Sequence, residues 1–264
     1  MVIGDEAHTF KANSLQKLMN KCTKAWMRVG TTGTVGGEGV NRLLLEACFG
    51  PIYKVISTKE LMDSDTLSKM SIQILTLKYS EEEKKSLGKL KYQDEVAFLT
   101  QCEKRNDFIK DLALAAQGNT LILFNYVKNH GEPLFRLIEK AAGDKRKVFF
   151  ISGSVKTDDR ERIRKILEKE KNAIIVATAA LMSTGTNIPT LTNLIFAAPT
   201  KSQIRVLQSI GRTLRKSEHP AVIFDIVDDL RYKTRINYTY KHGIERMKVY
   251  NAERFDYKTK TIAL

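Results

Sequence analysis

Thr120-Leu121-Ile122-Leu123-Phe124-Asn125-Tyr126 is an apolar run interrupted only at Asn125, and it reads as a buried strand. Before it, Phe108, Ile109 and Leu112 keep helical spacing, as do Leu134, Leu137, Ile138 and Ala141 after it. Residues 147–151, 173–177, 194–197 and 221–226 repeat the strand signal, and 158–170, with Thr157 as its cap, repeats the helical one. Strands that alternate with helices predict an α/β fold, a parallel sheet with helices on both faces.

The chain has 264 residues, 42% of them hydrophobic, enough for more than one compact unit. Its 44 basic and 30 acidic side chains leave a charge of +14, which points to a polyanionic partner, nucleic acid ahead of an anionic membrane surface. Cys22, Cys48 and Cys102 have neither metal-ligand spacing nor an even count, so reduced structural thiols are expected. No apolar run approaches the length of a membrane span, and the N-terminus lacks the layout of a signal peptide. The expectation is a soluble, cytoplasmic protein.

Four short stretches carry chemistry. In Gln208-Ser209-Ile210-Gly211-Arg212-Thr213-Leu214-Arg215, helical spacing sets Gln208, Arg212 and Arg215 on one face. Arginine's planar, permanently charged fork suits spread phosphate charge, although a solvated basic face gives the same pattern. Gly211 costs about 1 kcal/mol inside a helix and leaves room for another backbone.

Asp5-Glu6-Ala7-His8 follows a short apolar strand, at the edge where open α/β sheets bind ligands. Adjacent carboxylates there can divide labour, Asp5 holding Mg²⁺ through water and Glu6 accepting a proton, while helix capping is the plainer use of such a pair. Thr32-Gly33-Thr34 lies in a small hydroxyl-rich loop after a strand near residues 26–29, and its glycines lack the Lys-Ser/Thr ending of a phosphate loop. Ser183-Thr184-Gly185-Thr186-Asn187-Ile188-Pro189 predicts a rigid exposed turn. Ser152-Gly153 and Thr178 also follow strands, where hydroxyls and free N–H groups can grip phosphates or form ordinary turns.

Residues 58–105 lose the regular alternation and are expected to form a connecting segment, with a strand at 71–77 and helices around it. The tail, 231–264, holds nine basic residues against three acids, with six aromatics interleaved. Tyr250 and Phe255 are expected to pack inward, and Tyr232, Tyr238, Tyr240 and Tyr257 to lie at the surface.

In order and spacing these stretches resemble motifs II, III, V and VI of the superfamily 2 helicases, and Phe49-Gly50-Pro51-Ile52-Tyr53-Lys54, Val206-Leu207-Gln208 and Lys241-His242-Gly243-Ile244-Glu245-Arg246 resemble, within that superfamily, the branch-migration helicases of bacteriophages. The resemblance implies RecA-like parallel sheets flanked by helices, one partial domain (1–57) and one complete (106–230), with ATP and Mg²⁺ as cofactors and DNA, branched or forked, as partner. An RNA helicase and a non-catalytic DNA-binding remnant remain as alternatives. By resemblance Asp5 helps hold Mg²⁺, Glu6 activates water, and His8 and Gln208 couple the domains. Arg212 and Arg215 reach the γ-phosphate, Arg215 as the finger. Gly185 and Asn187 lie near the nucleotide, Ser152, Gly153, Thr178 and Ser183 near the DNA backbone, and Thr32, Gly33 and Thr34 link the two sites. That family's phosphate loop would precede Met1, so a partner polypeptide carrying it is expected, with no ATP turnover by this chain alone.

Overall fold

The run at Thr120 lies in a strand, Asn119–Phe124, in which every residue is buried. The computed structural model describes the chain except residues 6, 8–9, 11, 33–39, 57, 65–69, 88–89, 153–160, 162–164, 166–167, 180–190 and 200–220, and gives the backbone alone at 12, 40, 41, 58 and 61. The expected helices at 158–170 and around Arg212, and the turn at Gly185, lie largely or wholly outside the described residues. The chain divides into two compact units, Met1–Ile56 and Ser57–Leu264.

In the larger unit seven strands form one sheet. They are β3 (Met70–Lys78), β4 (Asn119–Phe124), β5 (Val148–Ile151), β6 (Ile174–Thr178), β7 (Leu191–Phe196), β8 (Ala221–Asp229) and β9 (Tyr257–Ala263), in the order β5-β6-β4-β7-β8-β3-β9. Every pairing is parallel. Alternate residues divide between two cores, as period-2 side chains must. Ile72, Leu121, Ile175 and Ile223 serve one face, where α8 (Tyr238–Ala252) packs through Tyr240, Met247 and Tyr250. Leu77, Ile122, Val176 and Ile226 serve the other, covered by Leu99 of α5 (Tyr92–Gln101), Ile109 of α6 (Glu103–Ala115), and Leu134 and Ile138 of α7 (Glu132–Ala142). Burial on both faces is why these strands read as continuous apolar runs.

Two stretches differ from their sequence reading. Residues 58–105 hold the expected strand, β3, with α3 (Thr58–Asp63), α4 (Glu81–Ser86) and α5 around it as expected, but β3 sits in the sheet between β8 and β9 rather than in a connection. The tail supplies α8 and β9. Tyr240 and Tyr257 therefore pack against the core beside the expected Tyr250 and Phe255, because the helix and strand carrying them lie on the sheet. Gly243 makes this possible, since a Cβ there would stand 2.7 Å from Val227 Cγ1 on β8.

The smaller unit pairs β1 (Val2–Gly4) in parallel with β2 (Arg28–Gly30) and packs them on α1 (Ala12–Lys21) and α2 (Val40–Phe49). Its core is small: Ala7, Leu15, Met19, Leu45 and Cys48, with Val2, Phe10, Leu44 and Phe49 at its margin. Ile3, Leu43, Trp26 and Val55 are exposed.

Candidate nucleotide and nucleic-acid interface

Each unit presents the C-terminal edge of a parallel sheet. In the smaller unit β1 and β2 end in register, Gly4 opposite Gly30, with the Phe49 ring packed beneath them. Side chains at either glycine would meet that ring within 3.0 Å, so the strand ends are bare for packing reasons. Just beyond them the Thr31 hydroxyl donates to Asp5 Oδ1 at 2.9 Å, Thr31 N donates to Gly4 O at 2.8 Å, and Ala7 N donates to Thr31 O at 3.0 Å. Three bonds thus tie the acidic loop to the threonine loop and fix the orientation of an exposed carboxylate. The sequence reading singled out Thr32, Gly33 and Thr34; of these Thr32 is described, and the residue that touches Asp5 is its neighbour Thr31. Glu6, His8, Gly33 and Thr34 lie outside the described residues.

In the larger unit Ser152 and Thr178 leave adjacent strands side by side, following the Ile151–Ala177 register pair. Both are buried, Ser152 1% and Thr178 7% exposed. Gly153, Ser183, Gly185, Asn187, Gln208, Arg212 and Arg215 lie outside the described residues.

Under this same edge sits a charged cluster that no sequence motif announces. Arg105 Nε donates to Asp228 Oδ1 at 2.8 Å, the Tyr79 hydroxyl donates to the same oxygen at 2.8 Å, and Arg105 Nη2 donates to the Ala197 carbonyl at 2.8 Å. Arg105 and Asp228 are fully buried. Burial works against the Arg105 charge, but Asp228 outweighs it and holds the guanidinium above its usual range. Burial, and then the Asp228 charge, push the Tyr79 hydroxyl well above its own. His130, in a π turn (Val127–Gly131) after β4, is buried with neither ring nitrogen hydrogen-bonded, and burial together with Arg105 lowers its pKa to about 3. This cluster joins α6 to the ends of β3, β7 and β8, so it fixes the edge rather than facing a ligand.

Several basic residues of the tail are also engaged internally. Arg231 chelates Asp229 through two 2.8 Å bonds and lies 4.1 Å from the centre of the Tyr240 ring. Arg235 donates to the carbonyls of Leu87 at 2.9 Å and Leu90. Arg246 is buried against Asp225. Arg235 and Arg246 are structural, and the exposed cations left for a polyanion include Lys128, Lys241, Lys258 and Lys260.

Among the described residues no group of three or more His, Cys, Asp or Glu side chains converges as a metal cluster, and no helix is long and apolar enough to cross a membrane. The three cysteines are unpaired.

Residues 103–217 match the helicase conserved C-terminal domain. The chain is 31% identical over 279 residues to the ATP-dependent DNA helicase uvsW of Enterobacteria phage T4, a match covering 100% of this chain and 55% of that protein. The crystal structure of T4 UvsW matches with a TM-score of 0.65 over 100% of this chain and 54% of that one. A second relative, from a Sulfolobus islandicus filamentous virus, is 27% identical, covering 86% of this chain and 42% of that protein. The chain thus spans about half the length of the curated relatives it matches. The restriction-modification enzyme LlaBIII, solved bound to DNA, shares the fold at a TM-score of 0.63 and 16% identity, over 99% of this chain and 21% of that one.

Proposed function

On the premise that this chain carries a helicase conserved C-terminal domain and resembles a phage DNA helicase along its whole length, we propose that it is part of an ATP-dependent DNA helicase or translocase acting on branched DNA in recombination, repair and replication. The whole-length match carries this reading. We assign the smaller unit to a first RecA-like domain and the larger to a second.

In this reading Asp5 is the residue that would hold the Mg²⁺ of ATP, through water. Its exposed carboxylate, oriented by Thr31 at a strand end, has hard oxygens that would accept from Mg²⁺-bound water. When bound, the ion would supply charge neutralisation at the phosphate oxygens. Glu6 accepts the proton of the attacking water, and Arg212 and Arg215 stabilise the γ-phosphate charge with forks a lysine cannot imitate. His8 and Gln208 couple nucleotide state to movement, with Thr32, Gly33 and Thr34 as the link, and Gly185 and Asn187 line the nucleotide. Gly153 and Ser183 meet the DNA backbone, while the buried Ser152 and Thr178 act by fixing the loops that follow them.

No stretch of these 264 residues has the glycine-rich, Lys-Ser/Thr-ended loop that cradles phosphates. The test therefore adds a polypeptide carrying such a loop and measures DNA-stimulated ATP hydrolysis. Hydrolysis is expected with the added polypeptide and not without it. Glu6→Gln abolishes turnover while sparing ATP binding, and Arg215→Lys lowers turnover by two decades or more, toward the roughly three to five decades an arginine finger supplies. Turnover by the chain alone that depends on Glu6, or turnover within a few-fold of the parent in either variant, overturns these assignments.

A further inference from the structure

On the same sheet edge, away from the residues assigned above, three elements bring aromatic rings together. Tyr92 opens α5, and its ring meets Tyr238 edge-on at 5.9 Å and His242 at 5.4 Å. Tyr238 and His242 are four residues apart on α8 and share a face with Lys241, whose Nζ lies 5.9 Å from the Tyr238 ring centre. Tyr126 follows β4 and begins the π turn, against which α5 packs on one side as it packs against α8 on another. The Tyr92 hydroxyl is raised first by burial and then by Tyr126 and Glu95.

Two features separate this row from ordinary core packing. Tyr126 is 45% and Tyr238 41% exposed. Exposed lysines flank the rings, Lys91 before Tyr92, Lys128 in the π turn and Lys241 on α8. Glu95 is buried and spent on the N-terminus of α8, accepting from Tyr238 N at 3.0 Å and Thr239 N at 2.7 Å, Asp94 falls on the side of α5 opposite Tyr92, and Glu245, one turn beyond Lys241, pairs with Lys248 at 3.0 Å.

We propose that Tyr126, Tyr92 and Tyr238 form a stacking platform for the unstacked bases of single-stranded DNA, with Lys91, Lys128 and Lys241 holding the phosphates alongside. Rings that lie bare beside lysines match a strand whose bases are free, because every base has a π-face and every nucleotide a charge. A duplex, whose bases are already stacked, offers the platform nothing but its backbone. The inference rests on the DNA-binding reading above and adds to it a preference for strand over duplex and the residues that supply it.

The test uses the full chain and three labelled DNAs of one length: a mixed-sequence single strand, the same strand with abasic sites, and the blunt duplex. Removing the bases is expected to weaken binding about ten-fold or more, since stacking on an aromatic contributes that much per base. Tyr126→Ala with Tyr238→Ala is expected to weaken the normal strand to a similar degree and to leave abasic and duplex binding within about two-fold, while Tyr126→Phe with Tyr238→Phe retains parental affinity. Equal affinity for normal and abasic strands in the unaltered chain overturns the platform, and needs no variant to fold. An equal loss on strand and duplex in the alanine variant does so too, by making the rings structural. Failure to bind any of the three DNAs sinks the DNA-binding reading itself.

Discussion

Arg246 Nε lies 3.0 and 2.9 Å from the two carboxylate oxygens of Asp225, with both side chains buried between α8 and β8. The Tyr250 hydroxyl donates to the same carboxylate at 2.5 Å, and Arg246 Nη2 donates to the Ile226 carbonyl at 3.1 Å. Burial and the Asp225 charge push the Tyr250 hydroxyl far above its usual range, so it remains a donor at any pH the protein survives. Arg246→Ala strands a buried carboxylate and is expected to lower stability by about 3–5 kcal/mol. Urea unfolding followed by circular dichroism measures this; a loss below about 1 kcal/mol would show that the pair is not what fixes α8.

Gly243, one turn earlier on α8, allows the approach that lets Arg246 reach. Gly243→Ala drives a Cβ into Val227 and is expected to cost about 1–3 kcal/mol. Pairing it with Val227→Ala should recover part of that cost. A double variant no more stable than the sum of the two single losses predicts would refute the contact.

Removing residues 231–264 takes away α8 and β9, so it is expected to unfold the larger unit rather than report on DNA binding. Exchanging the exposed Lys258 and Lys260 for Gln tests the basic surface without that damage. DNA affinity should fall steeply with salt in the parent, and the slope of log affinity against log salt should shrink by about 0.9 for each of these lysines that touches a phosphate. An affinity indifferent to salt would reject the electrostatic account.

His130 carries a pH signature. Its pKa of about 3 in the folded chain lies below the ordinary 6.5, so between these values the unfolded state binds a proton that the folded state refuses. Stability is therefore full above pH 6.5 and lost as pH falls toward 3, by roughly 1.4 kcal/mol per unit at most. His130→Leu should flatten that part of the stability curve, and an unchanged acid slope would mean the ring is not held neutral.

The sheet was legible wherever a strand is buried on both faces, as at Leu121–Leu123 and Ile174–Val176, because such strands are apolar throughout. β9 was not. Its Tyr-Lys-Thr-Lys-Thr-Ile-Ala run is polar because an edge strand faces water, and its partner β3 lies some 180 residues earlier, a pairing no local pattern encodes. At the candidate site Asp5 was legible as an acidic residue after a strand, whereas its partner Thr31 was masked by the adjacent hydroxyls. Arg105 looked like one more charge of a polar segment. Only the sheet's order, which brings Asp228 and Ala197 to it, reveals that it is buried.

The position of β3 also governs how the molecule can be made. Its neighbours on both sides, β8 and β9, are residues 221–229 and 257–263, so an apolar strand leaves the ribosome well before either partner has been translated. Until then Ile72, Ile74, Leu75 and Leu77 have no ladder to join, and any stalled or prematurely ended product exposes them. Cells expressing this chain therefore face their greatest aggregation hazard during its synthesis, and slowed translation between residues 78 and 221 should raise the insoluble fraction while leaving the finished protein's melting temperature unchanged.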